Sequence, residues 1–355
     1  MATAQDQIQQ QKNILYQRLQ SIDNDLSGAS RAITEAESKV ASVDAAMGAL
    51  PSRLSSIRAR GYAAMGHLDK TIELLTKKWA DASPLVKQSL ANSLQPISPQ
   101  INNLRSEMSR AKSEIDMSML SAAQSSLNRL AGDASSIKSR AVSEAARVTA
   151  PVGEVMSSLA AVDRDLKIGE TTLALFGQAA FPLKQQEFPV LAIEGKNLGQ
   201  EKTDGTLYFT NQRFVFEGKK EVVLEKKLFI VTKKRVDRVI MAEQPIGALS
   251  EISKGRVGLI AGIGVYVKYK PETGLPEAVY DVKGWEADVI TRFFSYIIGG
   301  EADKDIAATR GLAPSQMPTI KVTRCPYCGA PQGGEIYRGQ TTVKCEYCGS
   351  QIALT

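Results

Sequence analysis

Apolar side chains recur at heptad spacing through the first part of the chain. The first run alternates steps of four and three residues without a polar interruption: Leu15, Leu19, Ile22, Leu26, Ala29, Ile33, Ala36, Val40, Val43, Met47 and Leu50. A sustained heptad predicts a helix that packs along one side against other helices. At 1.5 Å per residue this run corresponds to a helix of about 54 Å, which Pro51 is expected to end or restart.

Two further amphipathic runs follow the first. One extends over Leu54–Trp79 and stops near Pro84. The other starts after a turn predicted at 95–99, is interrupted by Pro151 and ends at Leu166. Long stripes separated by proline turns favour an antiparallel coiled coil or bundle over one straight rod.

Residues 1–166 therefore form a helical domain in this interpretation. The heptads are typical of a spacer or a dimerisation arm, which makes a homo-oligomer an expectation. A membrane-bending or filament-forming hairpin is the alternative. The pattern leaves open whether the stripe pairs with a second chain or is buried within its own.

The periodicity changes from helical to alternating over residues 168–300. Two alternating segments are joined at Asn211–Gln212 and predict a tight hairpin. The predicted strands are 187–194, 206–210, 213–217, 221–231, 236–241, 246–252, 264–270 and 277–282. The glycines over 258–264 predict a bend between two strands. Apolar residues at every fourth position over 285–297 then predict one closing helix.

The predicted hairpin resembles the core hairpin of GRAM domains, which belong to the pleckstrin-homology-like (PH-like) superfold. The Gly-x-Leu-x-x-Thr-x-x-Arg pattern of that family is matched by Gly205, Leu207, Thr210 and Arg213. The resemblance covers residues 168–300. It implies a β-barrel closed by a carboxy-terminal helix, and binding of membrane lipid or of a protein partner.

A basic segment lies within this predicted domain. Residues 219–238 contain eight Lys or Arg against three Asp or Glu. The candidate residues for binding an anionic ligand are Lys226, Lys227, Lys233, Lys234, Arg235 and Arg238. Apolar residues between two basic clusters are typical of a loop that dips into an anionic membrane. The alternative is a solvated strand pair, because edge strands commonly carry lysines that prevent further pairing.

All four cysteines lie near the carboxy terminus, in two copies of one motif. Cys325 and Cys328 belong to Cys-Pro-Tyr-Cys-Gly, and Cys345 and Cys348 belong to Cys-Glu-Tyr-Cys-Gly. Four thiolates at this spacing select one tetrahedral zinc ion and leave no position for water, so we expect a structural metal. Residues 322–355 resemble a zinc ribbon; disulfides or a redox pair are the alternatives. Glycine after each motif suits a tight turn.

Residues 301–321 lose periodicity and gain glycine, proline and polar residues, which predicts a linker. The predicted fold class is therefore a multidomain α plus (α+β) chain. It consists of a helical coiled coil or bundle (1–166), a PH-like β-barrel with a carboxy-terminal helix (168–300) and a small zinc ribbon (322–355).

Composition narrows the class of function. The chain has 355 residues, a net charge of +6 and no cysteine outside the ribbon motif, which fits a reducing compartment. The amino terminus lacks a signal-peptide pattern, and the longest apolar stretch is shorter than the roughly 20 residues of a membrane span. We expect a cytoplasmic protein that can be peripheral to a membrane. The only histidine is His67, and no nucleophile elbow or phosphate loop is recognisable, which argues against an enzyme.

Together these features predict a non-enzymatic adaptor or scaffold. It self-associates through the helical arm, binds membrane lipid or a protein through residues 168–300, and uses the zinc ribbon for further interactions. One alternative is nucleic-acid or ribosome association through the ribbon and the basic segment, with Arg338 and Lys344 as basic groups of the ribbon. Another is a structural oligomer or filament built on the heptads.

Overall fold

The structure is a computed structural model that describes residues 4–199, 201–227, 230–258, 262–311, 324–332 and 336–354, with side chains outside 221–235. It divides into two compact units. Met1–Pro51 and Thr71–Val162 form the first, which we call the helical unit. Ser52–Lys70 and Asp163–Thr355 form the second, which we call the sheet unit.

Four helices precede the sheet: α1 (Ala4–Ala59), α2 (His67–Ser93), α3 (Ile97–Asp116) and α4 (Leu120–Phe176). Within the helical unit, Trp79 of α2 bonds to Asp44 of α1. Asp116, at the end of α3, bonds to Tyr16 near the start of α1. The α2–α3 segment therefore runs antiparallel to α1.

The α2 helix is also antiparallel to α4. Ser93 at the end of α2 contacts Arg147, whereas Lys78, earlier in α2, contacts Glu154, later in α4. The predicted helical amino-terminal region is thus confirmed. Its last helix ends at Phe176, ten residues after the predicted boundary at Leu166.

The heptad stripe of α1 is buried within its own chain. Ten of its eleven residues are at most 4% exposed, and Leu19 is half-buried. Ala29 and Ala36 have no long side chain and let neighbouring helices approach closely. Since the stripe is covered without a second copy, self-association stays a prediction that needs another surface.

The prediction that Pro51, Pro84 and Pro151 end or interrupt helices is wrong. The α1, α2 and α4 helices continue through these residues. All three prolines are exposed, so each ring lies on the solvent side of its helix and does not displace the buried stripe. The buried stripe on the other side of each helix offsets a cost of about 3 kcal/mol per proline.

The sheet unit contains a seven-stranded antiparallel sheet with the order β4-β3-β2-β1-β7-β6-β5. The strands are β1 (Pro189–Asn197), β2 (Thr203–Thr210), β3 (Arg213–Lys227), β4 (Ile230–Pro245), β5 (Leu249–Val257), β6 (Gly262–Tyr269) and β7 (Ala278–Asp281). In the described part of the chain, β4 and β5 are opposite edges and do not pair. The sheet is therefore open, and the predicted closed β-barrel is wrong.

The turns of the sheet follow the sequence pattern in part. The hairpin predicted at Asn211–Gln212 joins β2 to β3. Of the bend predicted at 258–264, residues 259–261 lie outside the described residues, and residues 262–264 belong to β6. The single strand predicted at 221–231 is wrong, because Lys227 ends β3 and pairs with Ile230, the first residue of the antiparallel β4. Residues on both sides of this turn have strand-like composition, so alternation alone does not reveal the reversal.

The helix predicted by the four-residue repeat packs on the sheet. This helix, α5 (Gly284–Ile298), contacts β1, β5 and β6. Val289, Phe293 and Ile297 are buried, whereas Trp285 at the start of the repeat is exposed. The buried face fixes α5 against the sheet.

A further helix, α6 (Glu301–Arg310), packs against α5. The predicted linker is therefore wrong for 301–310: Ala302, Ile306 and Ala307 are buried and form a short apolar stripe that the polar composition obscures. Residues 312–321 of that linker lie outside the described residues. Among the helices of the described ranges, none has the length and apolarity needed to cross a bilayer.

Candidate metal centre

Two similar turns carry the four cysteines. In the first, the Gly329 amide donates to the Cys325 carbonyl at 2.9 Å. In the second, the Gly349 amide donates to the Cys345 carbonyl at 2.9 Å. Both glycines have positive φ, at 74° and 72°, which confirms why glycine follows each motif. A two-stranded hairpin, β8 (Thr342–Lys344) and β9 (Gln351–Ala353), supports the second turn.

The turns bring all four sulfur atoms together. Their Sγ atoms lie within 4.8 Å of one another. Cys325 and Cys348 are 3.7 Å apart, and Cys328 and Cys345 are 3.6 Å apart. A disulfide bond would need about 2.05 Å, whereas sulfur atoms around a tetrahedral ion with metal–sulfur bonds of about 2.3 Å are about 3.8 Å apart. The cluster can therefore hold one metal ion.

The surroundings of the cluster shift the pKa values of the thiols in both directions. The backbone at Ala330 tends to lower the pKa of Cys328, but burial and the other three cysteines outweigh it and raise that pKa to about 12. Cys325 and Cys345 are buried with Ile352, while Cys328 and Cys348 are exposed. The backbone amide of Cys348 lowers the pKa of Cys345 to about 6, although burial opposes this shift. The side-chain amide of Gln332 donates to the Cys345 sulfur at 3.1 Å, a contact that the sequence does not reveal. A metal ion binds the deprotonated thiols, so binding releases protons.

The arginine of the GRAM-like pattern lies in a second polar site, inside the sheet unit. Its guanidinium group lies 2.7 Å from Glu187 and 2.6 Å from Glu243. The side chains of Arg213 and Glu187 are 5% and 0% exposed. Burial tends to raise the pKa of Glu243, but the hydrogen bonds and charges of Arg213 and Lys184 outweigh it and lower that pKa.

The threonine of the same pattern completes this site. The Thr210 hydroxyl donates a hydrogen bond to Glu187 at 2.8 Å. It also accepts hydrogen bonds from the backbone amides of Gln212 and Arg213. These contacts hold the β2–β3 hairpin against the segment before β1. Sequence reasoning missed Glu187 and Glu243, because nothing in their spacing links them to residues more than twenty positions away.

The candidate anion-binding residues fall into two groups. The side chains of Lys226, Lys227, Lys233, Lys234 and Arg235 lie outside the described residues, although their backbones belong to β3 and β4. Arg238 is described, and it donates to Glu217 at 3.0 Å and to Gln178 at 2.7 Å. Because Glu217 is only 1% exposed, Arg238 neutralises a buried carboxylate and is not a free surface cation.

Comparison with known proteins adds little. No family model matches the chain, and no curated protein matches it. Among solved structures, it is similar to the DH/PH domains of p115-RhoGEF, in a crystal structure of a point mutant. The sequence identity is 9%, the TM-score is 0.23, and the match covers 78% of this chain and 98% of that chain. A TM-score at this level carries no argument about this protein.

Proposed function

We propose that the chain is a non-enzymatic adaptor that binds an anionic membrane surface through the β3–β4 hairpin. The observation that carries this proposal is the length of the hairpin. Pairing between β2 and β3 ends at Gly205↔Gly218, whereas pairing between β3 and β4 continues to Lys227↔Ile230. The hairpin thus extends beyond β2 as a two-stranded ribbon made of the basic segment.

The charges at the base of this extension are already neutralised. Lys219 and Lys220 form ion pairs with Glu194 and Glu201, at 2.8 and 3.1 Å. The candidates for an external anion are therefore the outer residues, namely Lys226, Lys227, Lys233, Lys234 and Arg235. Each lysine or arginine near an anionic membrane contributes about 1 kcal/mol of binding free energy.

We further propose that the sheet unit is a PH-like module of the GRAM type. Consecutive strands pair in order from β1 to β4 and from β5 to β7, and one helix packs on the sheet after the last strand. The pattern residues Gly205, Leu207, Thr210 and Arg213 are all buried or paired at the β2–β3 hairpin. Binding of lipid or protein is the activity that this resemblance implies.

For the cysteine cluster we propose a structural zinc ion. Four thiolates fill a tetrahedral coordination shell and leave no position for a water or a substrate.

The nucleic-acid alternative is less well supported, because Arg338, one of the two basic groups assigned to it, is ion-paired with Asp303. The membrane proposal needs no second copy of the chain.

The test is co-sedimentation of the full-length protein with vesicles. We expect binding to phosphatidylcholine vesicles that contain phosphatidylserine and none to phosphatidylcholine alone. Substituting Gln for Lys226, Lys227, Lys233, Lys234 and Arg235 should weaken binding more than about tenfold, since five charges are lost.

The matched control removes five exposed charges from the helical unit, by substituting Gln for Arg31, Lys39, Lys77, Arg105 and Lys112. This variant should bind like the native protein. The proposal fails if the native protein does not bind anionic vesicles, or if both variants bind equally well.

A further inference from the structure

The loop between the two cysteine turns contacts the turns of the seven-stranded sheet and the helices α5 and α6. We call its residues 336–340 the finger. The Gly247 amide, in the turn between β4 and β5, donates to the Arg338 carbonyl at 3.0 Å. The Lys270 ammonium group lies 4.8 Å from the centre of the Tyr337 ring, a cation–π contact. The finger therefore contacts the turn between β4 and β5 through Arg338, and Lys270, which follows β6, through Tyr337.

The Arg338 side chain bridges two helices. One of its Nη atoms donates to the Ile297 carbonyl at the end of α5, and the other lies 2.5 Å from the Asp303 carboxylate in the first turn of α6. The carbonyl end of a helix attracts cations, and hydrogen bonds between charged groups are the strong ones. Burial lowers the pKa of Arg338, and Asp303 partly offsets this shift.

The backbones fit each other as closely as the side chains do. A Cβ atom at Gly339, where φ is +84°, would lie 1.5 Å from the Gln212 carbonyl oxygen. A Cβ atom at Gly247 would lie 2.5 Å from the Arg338 nitrogen. Only glycine permits this approach at either position. The backbones of the finger and the neighbouring turns are therefore complementary in shape, and the contact does not depend on the Arg338 side chain alone.

Metal ligands flank the finger on both sides in the sequence. Cys328 precedes it and Cys345 follows it, and both belong to the sulfur cluster. The buried residues of the described part of the ribbon are few: Cys325, Cys345, Ile352 and Leu354. So small a core does not order a loop by itself, and in such modules the free energy of metal binding is the free energy of folding.

We propose that the surface formed by the end of α5, the start of α6 and the turns at 211–212 and 246–248 binds the chain's own ribbon, through the finger, as a metal-dependent latch. With metal in the cysteine cluster, the finger is ordered and Arg338 closes over the α5–α6 junction. Without metal, the finger leaves this surface. The latch rests on metal binding by the cluster and is independent of membrane binding.

The test is hydrogen exchange of the full chain, read by mass spectrometry, with zinc content measured on the same samples. Chelating zinc from the native protein should speed exchange about tenfold or more at 211–213, 246–248 and 297–303, because charge-assisted hydrogen bonds are lost. Arg338→Gln should speed exchange in the same segments, while the zinc content stays that of the native protein. Lys304→Gln removes an exposed charge next to Asp303 and should change neither quantity.

Combining zinc chelation with Arg338→Gln shows whether metal binding and finger docking are coupled. Chelation of Arg338→Gln should give no further increase in those segments, since the latch is already open. Asp303→Asn repeats the test without altering the ribbon, and Glu301→Gln is its control on the same helix turn. The proposal is overturned if chelated native protein keeps its protection, or if the effects of chelation and substitution multiply as independent events.

Discussion

At the residue scale, the buried charges of the sheet unit are held by partners that are distant in sequence. Arg213 pairs with Glu187, and Arg238 pairs with Glu217. The Arg213 guanidinium also donates to the Pro182 carbonyl and lies 4.9 Å from the centre of the Phe181 ring. The GRAM-like pattern identifies Arg213 as important, but only the structure shows that it stabilises the hairpin.

We expect Arg213→Met to lower the free energy of unfolding of the sheet unit by about 3 to 5 kcal/mol, because it leaves the Glu187 carboxylate buried without a partner. Urea unfolding, followed by Trp285 fluorescence in a Trp79→Phe background, measures the change. The control Arg256→Met removes an exposed arginine and should change stability by less than about 0.5 kcal/mol. Equal losses in the two variants would contradict the prediction.

At the element scale, one carboxylate joins α1 to α2. Asp44 accepts hydrogen bonds from Trp79 at 2.7 Å and from Ser83 at 3.1 Å, and forms an ion pair with Lys87 at 2.6 Å. Burial tends to raise the pKa of Asp44, but these three groups outweigh it and lower that pKa below its ordinary value. The charged form of Asp44 therefore favours the folded helical unit.

This interaction predicts a pH dependence. Above about pH 4, the ordinary pKa of aspartate, Asp44→Asn should destabilise the helical unit by about 1 to 2 kcal/mol, because charged hydrogen bonds are lost. As the pH falls through the lowered folded-state pKa, native Asp44 is protonated and the difference should shrink. Urea unfolding followed by Trp79 fluorescence in a Trp285→Phe background tests this. Asp23→Asn, at an exposed site, is the control; a difference that is constant with pH would refute the prediction.

Two glycines should respond in opposite directions. Gly132 is exposed in α4 with no atom within 4 Å of an added Cβ, so Gly132→Ala should stabilise the helical unit by about 0.5 to 1 kcal/mol. At Gly205 in β2, a Cβ would lie 2.2 Å from the Glu217 carbonyl oxygen, so Gly205→Ala should cost about 1 to 3 kcal/mol. The same two fluorescence assays measure both changes, and a shift of equal sign would refute the assignment.

At the scale of the whole molecule, the heptad surface of α1 is satisfied within one chain. Sedimentation velocity at micromolar concentration tests the self-association expected from the heptads; a monomer of 38.4 kDa is the result expected if the stripe acts only within its own chain. A stable dimer would show that another surface mediates the self-association expected from the heptads. A monomer would also argue against the filament hypothesis, because a filament built on the heptads needs an uncovered stripe.

Local patterns in the sequence determined the helical region, the hairpin at Asn211–Gln212, the packed helix α5 and the pairing of the two cysteine motifs. Each depends on a period or a spacing between near neighbours, which a single chain displays directly. The structure decided that the helices pass through their prolines, that the sheet stays open, that α6 is a helix and that the finger contacts the turns of the sheet and the α5–α6 junction. These outcomes depend on burial and on contacts between residues far apart in sequence. A local sequence pattern does not show which of these contacts form or how much they stabilise the fold.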